Sequence, residues 1–258
     1  MNSLAATIAI FFAFAPAIGG GAKQSNRAEE IIAELTAATR NVTSVRGSVS
    51  VITYDDTFDT VSAGNGKFGY FQPRDGYWKV SNTPAMPTEE QNTRKRRQYR
   101  HVEYGAEHWQ WQDDCFREVD DDNKRVFECS FVAGKGLFSS LFSRIFGTVD
   151  RTSPFLPGLP NKSVIEKWKF AVTDESATHI WLHATPNNDS DKKQFASCDL
   201  YMQKKPLELE AVQYIPTGSR QRRVLLFSEV ELNPSSHEKP DLSNYKCLRD
   251  SPVKSKAE

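Results

Sequence analysis

The feature that most constrains this chain is a two-residue alternation of apolar and polar side chains that returns in many short segments. Val49, Val51 and Thr53, for example, alternate with Ser48 and Ser50. Side chains along a β-strand point to opposite faces in turn, so this period predicts strands. The predicted strands lie at residues 48–54, 58–71, 77–80, 98–104, 107–112, 116–119, 125–131, 167–173, 178–185, 194–203, 207–215 and 222–232. Short strands at this rhythm indicate an antiparallel meander.

Turn residues and composition refine this picture. Gly64, Asn65 and Gly66 predict a turn inside 58–71, because glycine accepts positive φ. Aromatic residues make up 11% of the chain, and such rings suit a half-buried pleated surface. The 33 basic and 33 acidic side chains cancel, so no global field favours nucleic acid or an anionic membrane.

The two ends differ from the body. Leu4 to Ile18 is an apolar run of the length of a signal-peptide core, so residues 1–22 are predicted to be a signal peptide. No Lys or Arg precedes the run, which leaves a short retained anchor as the alternative. Residues 233–258 have few large apolar side chains and are predicted to be a disordered tail, unless Cys247 tethers it. The expected product is one periplasmic or secreted domain over 23–232.

Two helices interrupt the strand pattern. The first is predicted to begin at Asn26, which with Glu29 resembles a capping box, and its apolar stripe includes Ile31 and Leu35. The second is short and strongly apolar, with Phe155 in the proline-rich loop after it. Its apolar residues are Leu137, Phe138, Leu141, Phe142, Ile145 and Phe146. It is predicted either to pack in the core or to act as a lid over an apolar cavity.

The predicted fold is therefore mainly β with α, a curved antiparallel meander that forms a half-open barrel, with one long N-terminal helix and a short lid helix. If side chains alternate inward and outward, an aromatic interior is lined by Phe68, Tyr70, Trp78, Trp109 and Trp111. An acyl chain gains about 0.8 kcal/mol per buried CH₂, so a chain of roughly sixteen carbons offers on the order of 12 kcal/mol. Such a ligand justifies a dedicated cavity.

The polar residues predict no catalytic or metal site and no cofactor. His179 and His183 lie in a predicted strand and are interpreted as structural, and none of the four cysteines has a zinc-like spacing. Cys115 and Cys129 flank an acidic turn, so a disulfide between two antiparallel strands is predicted. The alternative for this pair is two buried thiols.

The order of elements, helix, meander, apolar helix and second meander, resembles the periplasmic lipoprotein carriers of the Lol system. Gly66 to Trp78, GKFGYFQPRDGYW, is similar to that family's Gly…Arg-Pro…Trp strand–turn–strand. Tyr104 to Trp109, YGAEHW, is similar to its Asp-Gly-Lys-x-x-Trp, and the later SPFL at 153–156 is a further match. The resemblance runs from about residue 28 to 232.

The resemblance implies a non-enzymatic carrier that binds the acyl chain of a lipid or lipoprotein, with Trp78 and Trp109 in the cavity wall. It also implies transient contact with envelope membrane proteins, and we expect a monomer. Gln72 stands where the carriers have the arginine that latches the lid, and a large insertion follows Trp78. The same fold serves envelope-stress regulators, so the alternative function is a sensor or protein-binding module that uses the same groove.

Overall fold

The computed structural model describes residues 21–71, 75–83, 98–113, 115–130 and 165–249. These residues form a long helix α1 (Gly21–Ala38), a one-turn helix α2 (Asp189–Lys192) and a 13-stranded sheet. The strands are β1 (Ser44–Asp55), β2 (Thr60–Phe71), β3 (Asp75–Asn82), β4 (Arg100–His101), β5 (Glu107–Gln112), β6 (Cys115–Asp120), β7 (Arg125–Ser130), β8 (Trp168–Glu175), β9 (His179–Pro186), β10 (Phe195–Lys204), β11 (Leu207–Pro216), β12 (Gln221–Leu232) and β13 (Lys246–Arg249).

The sheet is a single open meander. Its strand order is β13-β7-β6-β5-β3-β2-β1-β12-β11-β10-β9-β8, and β4 pairs with β2 beside this path. Neighbouring strands along this path pair antiparallel, except that β13 pairs parallel with β7. Strand β4 also pairs parallel, with β2. The sheet curves without closing, which confirms the predicted half-open antiparallel barrel. Among the described residues, no helix is both long enough and apolar enough to cross a bilayer.

The pairing of β1 with β12 joins two halves of the sheet. We call β1–β7 with β13 the first half and β8–β12 the second half. The face on which α1 packs is the inner face, because Ala28, Ile31 and Ile32 belong to the same core cluster as Val45 and Leu182. The helix packs mainly on β8 and also contacts β11, so it covers the second half.

Two local predictions on the N-terminal side are wrong. Helix α1 already runs from Gly21, so Asn26 and Glu29 do not mark its start. Gly64 and Gly66 do not form a turn but lie inside β2, and neither is among the residues with positive φ. A Cβ on Gly66 would lie 1.8 Å from the carbonyl oxygen of Lys79, so this glycine is required by the close approach of β3.

The segment after Asn233, predicted to be disordered, is folded as far as residue 249. We call residues 234–249 the strap. It crosses the outer face of the first half and ends as β13, which pairs parallel with β7. Its side chains hold it by specific contacts rather than by apolar burial. His237 stacks on Phe71 with ring centroids 4.5 Å apart, and the Tyr245 hydroxyl donates to Asp121 Oδ1 at 2.5 Å.

The predicted Cys115–Cys129 disulfide is also wrong, since Cys115 is a free thiol. The β6–β7 register explains this. Cys115 is opposite Ser130, and Cys129 is opposite Phe116. Neighbouring positions of a strand belong to opposite faces, so positions 115 and 129 lie on different sides of the sheet. Cys198 and Cys247 are free thiols as well.

Candidate functional site

The inner face of the first half carries two rows of aromatic side chains. In one row Phe68 is opposite Trp78, and Trp78 is opposite Trp109. In the next row Tyr70 is opposite Gly76, Gly76 is opposite Trp111, and Trp111 is opposite Phe116. The structure therefore brings the five aromatic residues that the sequence predicted to share one face onto the inner face. The predicted lid residues Leu137 to Phe146 and the loop residue Phe155 lie outside the described residues.

The rows are not buried to the same degree. Phe68, Trp78 and Trp109 are 1%, 8% and 8% exposed, and Phe68 meets Phe227 edge-on with centroids 5.5 Å apart. Tyr70 and Trp111 are only half-buried. Phe127 of β7, which the register also places on the inner face, is 40% exposed. The rings of Phe68, Trp78, Trp109 and Phe116 are therefore packed, whereas those of Tyr70, Trp111 and Phe127 are partly accessible.

A polar group interrupts the apolar wall at the centre of the sheet. Arg223 of β12 faces inward, on the same side of the strand as Leu225 and Phe227. Its Nη2 donates to Glu107 Oε2 at 2.6 Å. Nη2 also lies 3.1 Å from the Tyr104 hydroxyl oxygen, and Trp78 Nε1 donates to the same Glu107 oxygen at 2.9 Å. We call Tyr104, Glu107, Arg223 and the indole N–H of Trp78 the Arg223 cluster.

The loop before β5 positions this cluster. Tyr104 is held by its backbone N–H, which donates to Asn82 Oδ1 at 3.1 Å. Its ring lies against Gly64, where a Cβ would come within 2.6 Å of a ring carbon. Glycine at 64 therefore makes room for a ring that reaches across the inner face. The predicted strand at 98–104 is reduced to the two residues of β4.

The cluster lies in a largely buried environment, although some of its side-chain surface remains accessible to solvent. Burial raises the pKa of Tyr104 far above its ordinary value, and burial likewise raises the pKa of Tyr214, which is opposite Arg223 on β11. Tyr214 is still only half-buried, and the Arg223 side chain keeps 30% of its surface accessible. Tyr214 and Arg223 are therefore inward-facing side chains that remain partly accessible.

The histidines of the second half lie on the outer face, away from the Arg223 cluster. His183 Nδ1 is 2.7 Å from Asp199 Oδ1, and His179 Nε2 is 3.3 Å from Glu210 Oε2. Within the described ranges, no group of three or more His, Cys, Asp or Glu side chains is placed to hold a metal ion. The first pair links the neighbouring strands β9 and β10, and the second links β9 to β11 across β10.

The sequence interpretation missed the Arg223 cluster. Tyr104 and Glu107 are predicted only as ends of the strands 98–104 and 107–112 and as part of a resembling motif, and Arg223 only as part of the strand 222–232. One signal was present: in QRRVLLF, Arg223 has the same alternation phase as Leu225 and Phe227, so a charged side chain had to face inward. A charge at an inner position of a strand is unusual unless it is paired.

Comparison with known proteins gives structural likeness only. No family model matches the chain, and no curated protein matches it. An uncharacterized conserved protein from Thermus thermophilus is 9% identical over 87% of this chain and 99% of its own, with a TM-score of 0.42. A LolA superfamily protein from Nitrosomonas europaea is 9% identical over 85% and 97%, with a TM-score of 0.34. Lipoprotein LppX from Mycobacterium tuberculosis is 13% identical over 81% and 98%, with a TM-score of 0.40. These likenesses concern the fold alone.

Proposed function

We propose that this protein is an exported, non-enzymatic carrier that holds the acyl chain of a lipid or lipoprotein against the inner face of the first half. The observation that carries the proposal is the alignment of Phe68, Tyr70, Trp78, Trp109 and Trp111 on that face. Helix α1, the one long helix of the described residues, packs on the second half instead. Within the described residues, no long helix packs mainly on the aromatic wall, and such a wall is suited to an apolar ligand.

The energetics favour a hydrocarbon occupant. Each buried CH₂ contributes about 0.8 kcal/mol, so even a partly enclosed acyl chain gives a substantial gain. The half-buried Tyr70 and Trp111 supply flat surface at the accessible part of the wall. Segment 137–146 is proposed as the lid over this wall and Phe155 as a neighbouring contact. Export through residues 1–22 and transient contact with envelope membrane proteins belong to the same proposal.

Quenching of tryptophan fluorescence by a brominated acyl chain tests the site directly, because bromine quenches only nearby indoles. The chain has five tryptophans, of which Trp111 lies on the inner wall and Trp181 on the outer face of β9. With a dibromostearoyl lipid, the variant Trp111→Phe is expected to lose part of the quenched signal. The matched variant Trp181→Phe is expected to lose unquenched signal, so its quenched fraction rises.

Native mass spectrometry of protein purified from an exporting host separates the alternatives. Co-purified acyl species support the carrier. A protein without lipid but with one specific polypeptide partner supports the sensor or protein-binding module. The carrier proposal fails if no acyl ligand is retained and if brominated lipid quenches Trp111 and Trp181 equally.

A further inference from the structure

The Arg223 cluster does not help to hold a hydrocarbon chain. Taking an arginine and a carboxylate out of water is costly, and apolar residues of similar volume would line an acyl site at less cost. Arg223 and Glu107 nevertheless lie beside Trp78, with the guanidinium carbon 6.0 Å from the centre of the Trp78 ring. A polar group inside an apolar wall calls for a polar part of the ligand.

We infer that the Arg223 cluster binds the uncharged polar head of the acyl ligand, an ester or amide carbonyl, and disfavours a free carboxylate. This inference rests on the proposed function and adds the chemical class of the ligand. It also sets the ligand's direction, with the head group at Arg223 beside Trp78 and the hydrocarbon towards the half-buried Trp111 and Tyr70.

The charge balance of the cluster sets the preference against a carboxylate. Arg223 Nη2 lies 2.6 Å from Glu107 Oε2, so the guanidinium already has its counter-charge. The same carboxylate oxygen accepts from Trp78 Nε1, which fixes it in place. A fatty-acid carboxylate at Arg223 would put a second negative charge beside Glu107 in a desolvated site, where like charges repel strongly.

The cluster also has a donor to offer a neutral acceptor. Arg223 Nε is buried and has no hydrogen-bond partner among the described residues. A buried donor without a partner is costly, and a carbonyl oxygen would satisfy it without adding charge. The Arg223 side chain as a whole keeps 30% of its surface accessible, so this residue is not sealed from a ligand.

The direction of the ligand follows from the register. Arg223 is opposite Thr53 of β1, and its guanidinium reaches across to Glu107 of β5 beside Trp78. From Trp78 the aromatic row continues to Trp109, and Trp111 and Phe116 lie in the next row. A head group at the guanidinium therefore has an aromatic path for its chain that leads away from Arg223 and Glu107.

Competition between palmitic acid and methyl palmitate tests the inference, because the two ligands share one chain and differ in head-group charge. Delipidated full-length protein at about pH 8 is titrated with each ligand against a fluorescent acyl reporter. The wild type is expected to bind methyl palmitate about tenfold more tightly than palmitate. Glu107→Gln keeps the shape but removes the competing charge, so it is expected to abolish or reverse this preference.

Glu118→Gln is the matched control. Glu118 lies on the inner face of β6 opposite Trp109, but it is exposed and has no contact with Arg223 among those described. This variant is expected to keep the wild-type preference. If Glu107→Gln does not fold, the infrared carbonyl band of ¹³C-labelled methyl palmitate serves instead on the wild type. A shift to lower frequency on binding is expected from a guanidinium hydrogen bond.

The outcomes separate the inference from the proposed function. Tight binding of both ligands with equal affinity, unchanged in Glu107→Gln, overturns the inference and leaves the carrier proposal intact. A wild-type preference for palmitate, or an unshifted carbonyl band, also overturns it. Absence of binding for either ligand overturns the carrier proposal together with the inference.

Discussion

The two halves of the sheet have the same strand pattern but different inner faces. Beneath α1 the second half presents aliphatic and small residues such as Ile180, Leu182, Ala184 and Leu200, each 2% exposed or less, although rings such as Trp168 and Phe227 belong to the same core cluster. The first half presents large rings, of which Tyr70 and Trp111 are only half-buried. Small branched side chains allow a helix to approach closely, whereas large rings on a curved wall leave spaces between them.

This difference suggests a division of roles within one sheet, in which the second half mainly stabilises the fold and the first half mainly binds the ligand. The second half is a conventional core, filled by its own side chains and closed by its own helix. The first half contains the aromatic wall, and the Arg223 cluster joins this wall to β12 of the second half. The fold alone requires neither feature. We therefore expect substitutions in the second half to act mainly on unfolding, and those on the aromatic wall to act mainly on ligand binding.

The largest expected effect concerns the backbone contact that shapes the aromatic wall. Gly66→Ala would place a Cβ 1.8 Å from Lys79 O, a backbone atom that cannot move without breaking the β2–β3 pairing. We expect a loss of about 4 kcal/mol in the free energy of unfolding, measured by urea denaturation. Gly105→Ala is the control, since its Cβ would meet nothing within 4 Å. Similar losses for both variants would contradict the close packing of β2 and β3.

The second largest expected effect comes from truncation of a buried side chain beneath α1. Leu182 is 0% exposed in the middle of the second half, so Leu182→Ala creates a cavity that its neighbours cannot fill. The expected cost is about 3 kcal/mol in the free energy of unfolding. Leu232→Ala, at a position that is 43% exposed, should cost much less. Acyl binding by folded Leu182→Ala is expected to match the wild type, and a selective loss of binding would break the assignment of the two halves.

A larger truncation on the aromatic wall is expected to cost less stability. Trp111→Ala removes more atoms than Leu182→Ala, but Trp111 is only half-buried. We expect a loss of about 1.5 kcal/mol in the free energy of unfolding, below the range usual for a fully buried Trp→Ala change. Acyl-ligand affinity should fall by about tenfold. A stability loss above that of Leu182→Ala would show that the wall is packed solidly and has no room for a ligand.

The sequence predicted the meander, the helix stripe and the shared face of the five aromatic residues because alternation and helical spacing are local properties. It failed where distant segments meet. Gly66 looks like a turn residue until β3 is placed beside it, and the strap looks disordered because its stacking and hydrogen bonds link residues far apart in sequence. The pairing of Arg223 with Glu107 spans 116 residues, so no local pattern could reveal it.

The smallest expected effect compares a histidine–aspartate pair on the outer face of each half. His108 in the first half is 3% exposed, and burial lowers its pKa despite the hydrogen bond to Asp121. His183 in the second half has its pKa raised, chiefly by its hydrogen bond to Asp199. The raised pKa of His183 gives stability that is full below the unfolded-state value of about 6.5 and is lost as pH rises through the folded-state value. The lowered pKa of His108 affects stability in the opposite direction: its contribution is lost as pH falls, because the unfolded chain takes up the proton first.

Between about pH 8 and pH 5.5, the change in unfolding free energy should therefore shift in opposite directions for His183→Gln and His108→Gln, by less than about 1 kcal/mol for the more exposed His183. Urea denaturation of both variants and the wild type at the two pH values measures this, and shifts of the same sign would show that the two pairs do not differ in burial as described.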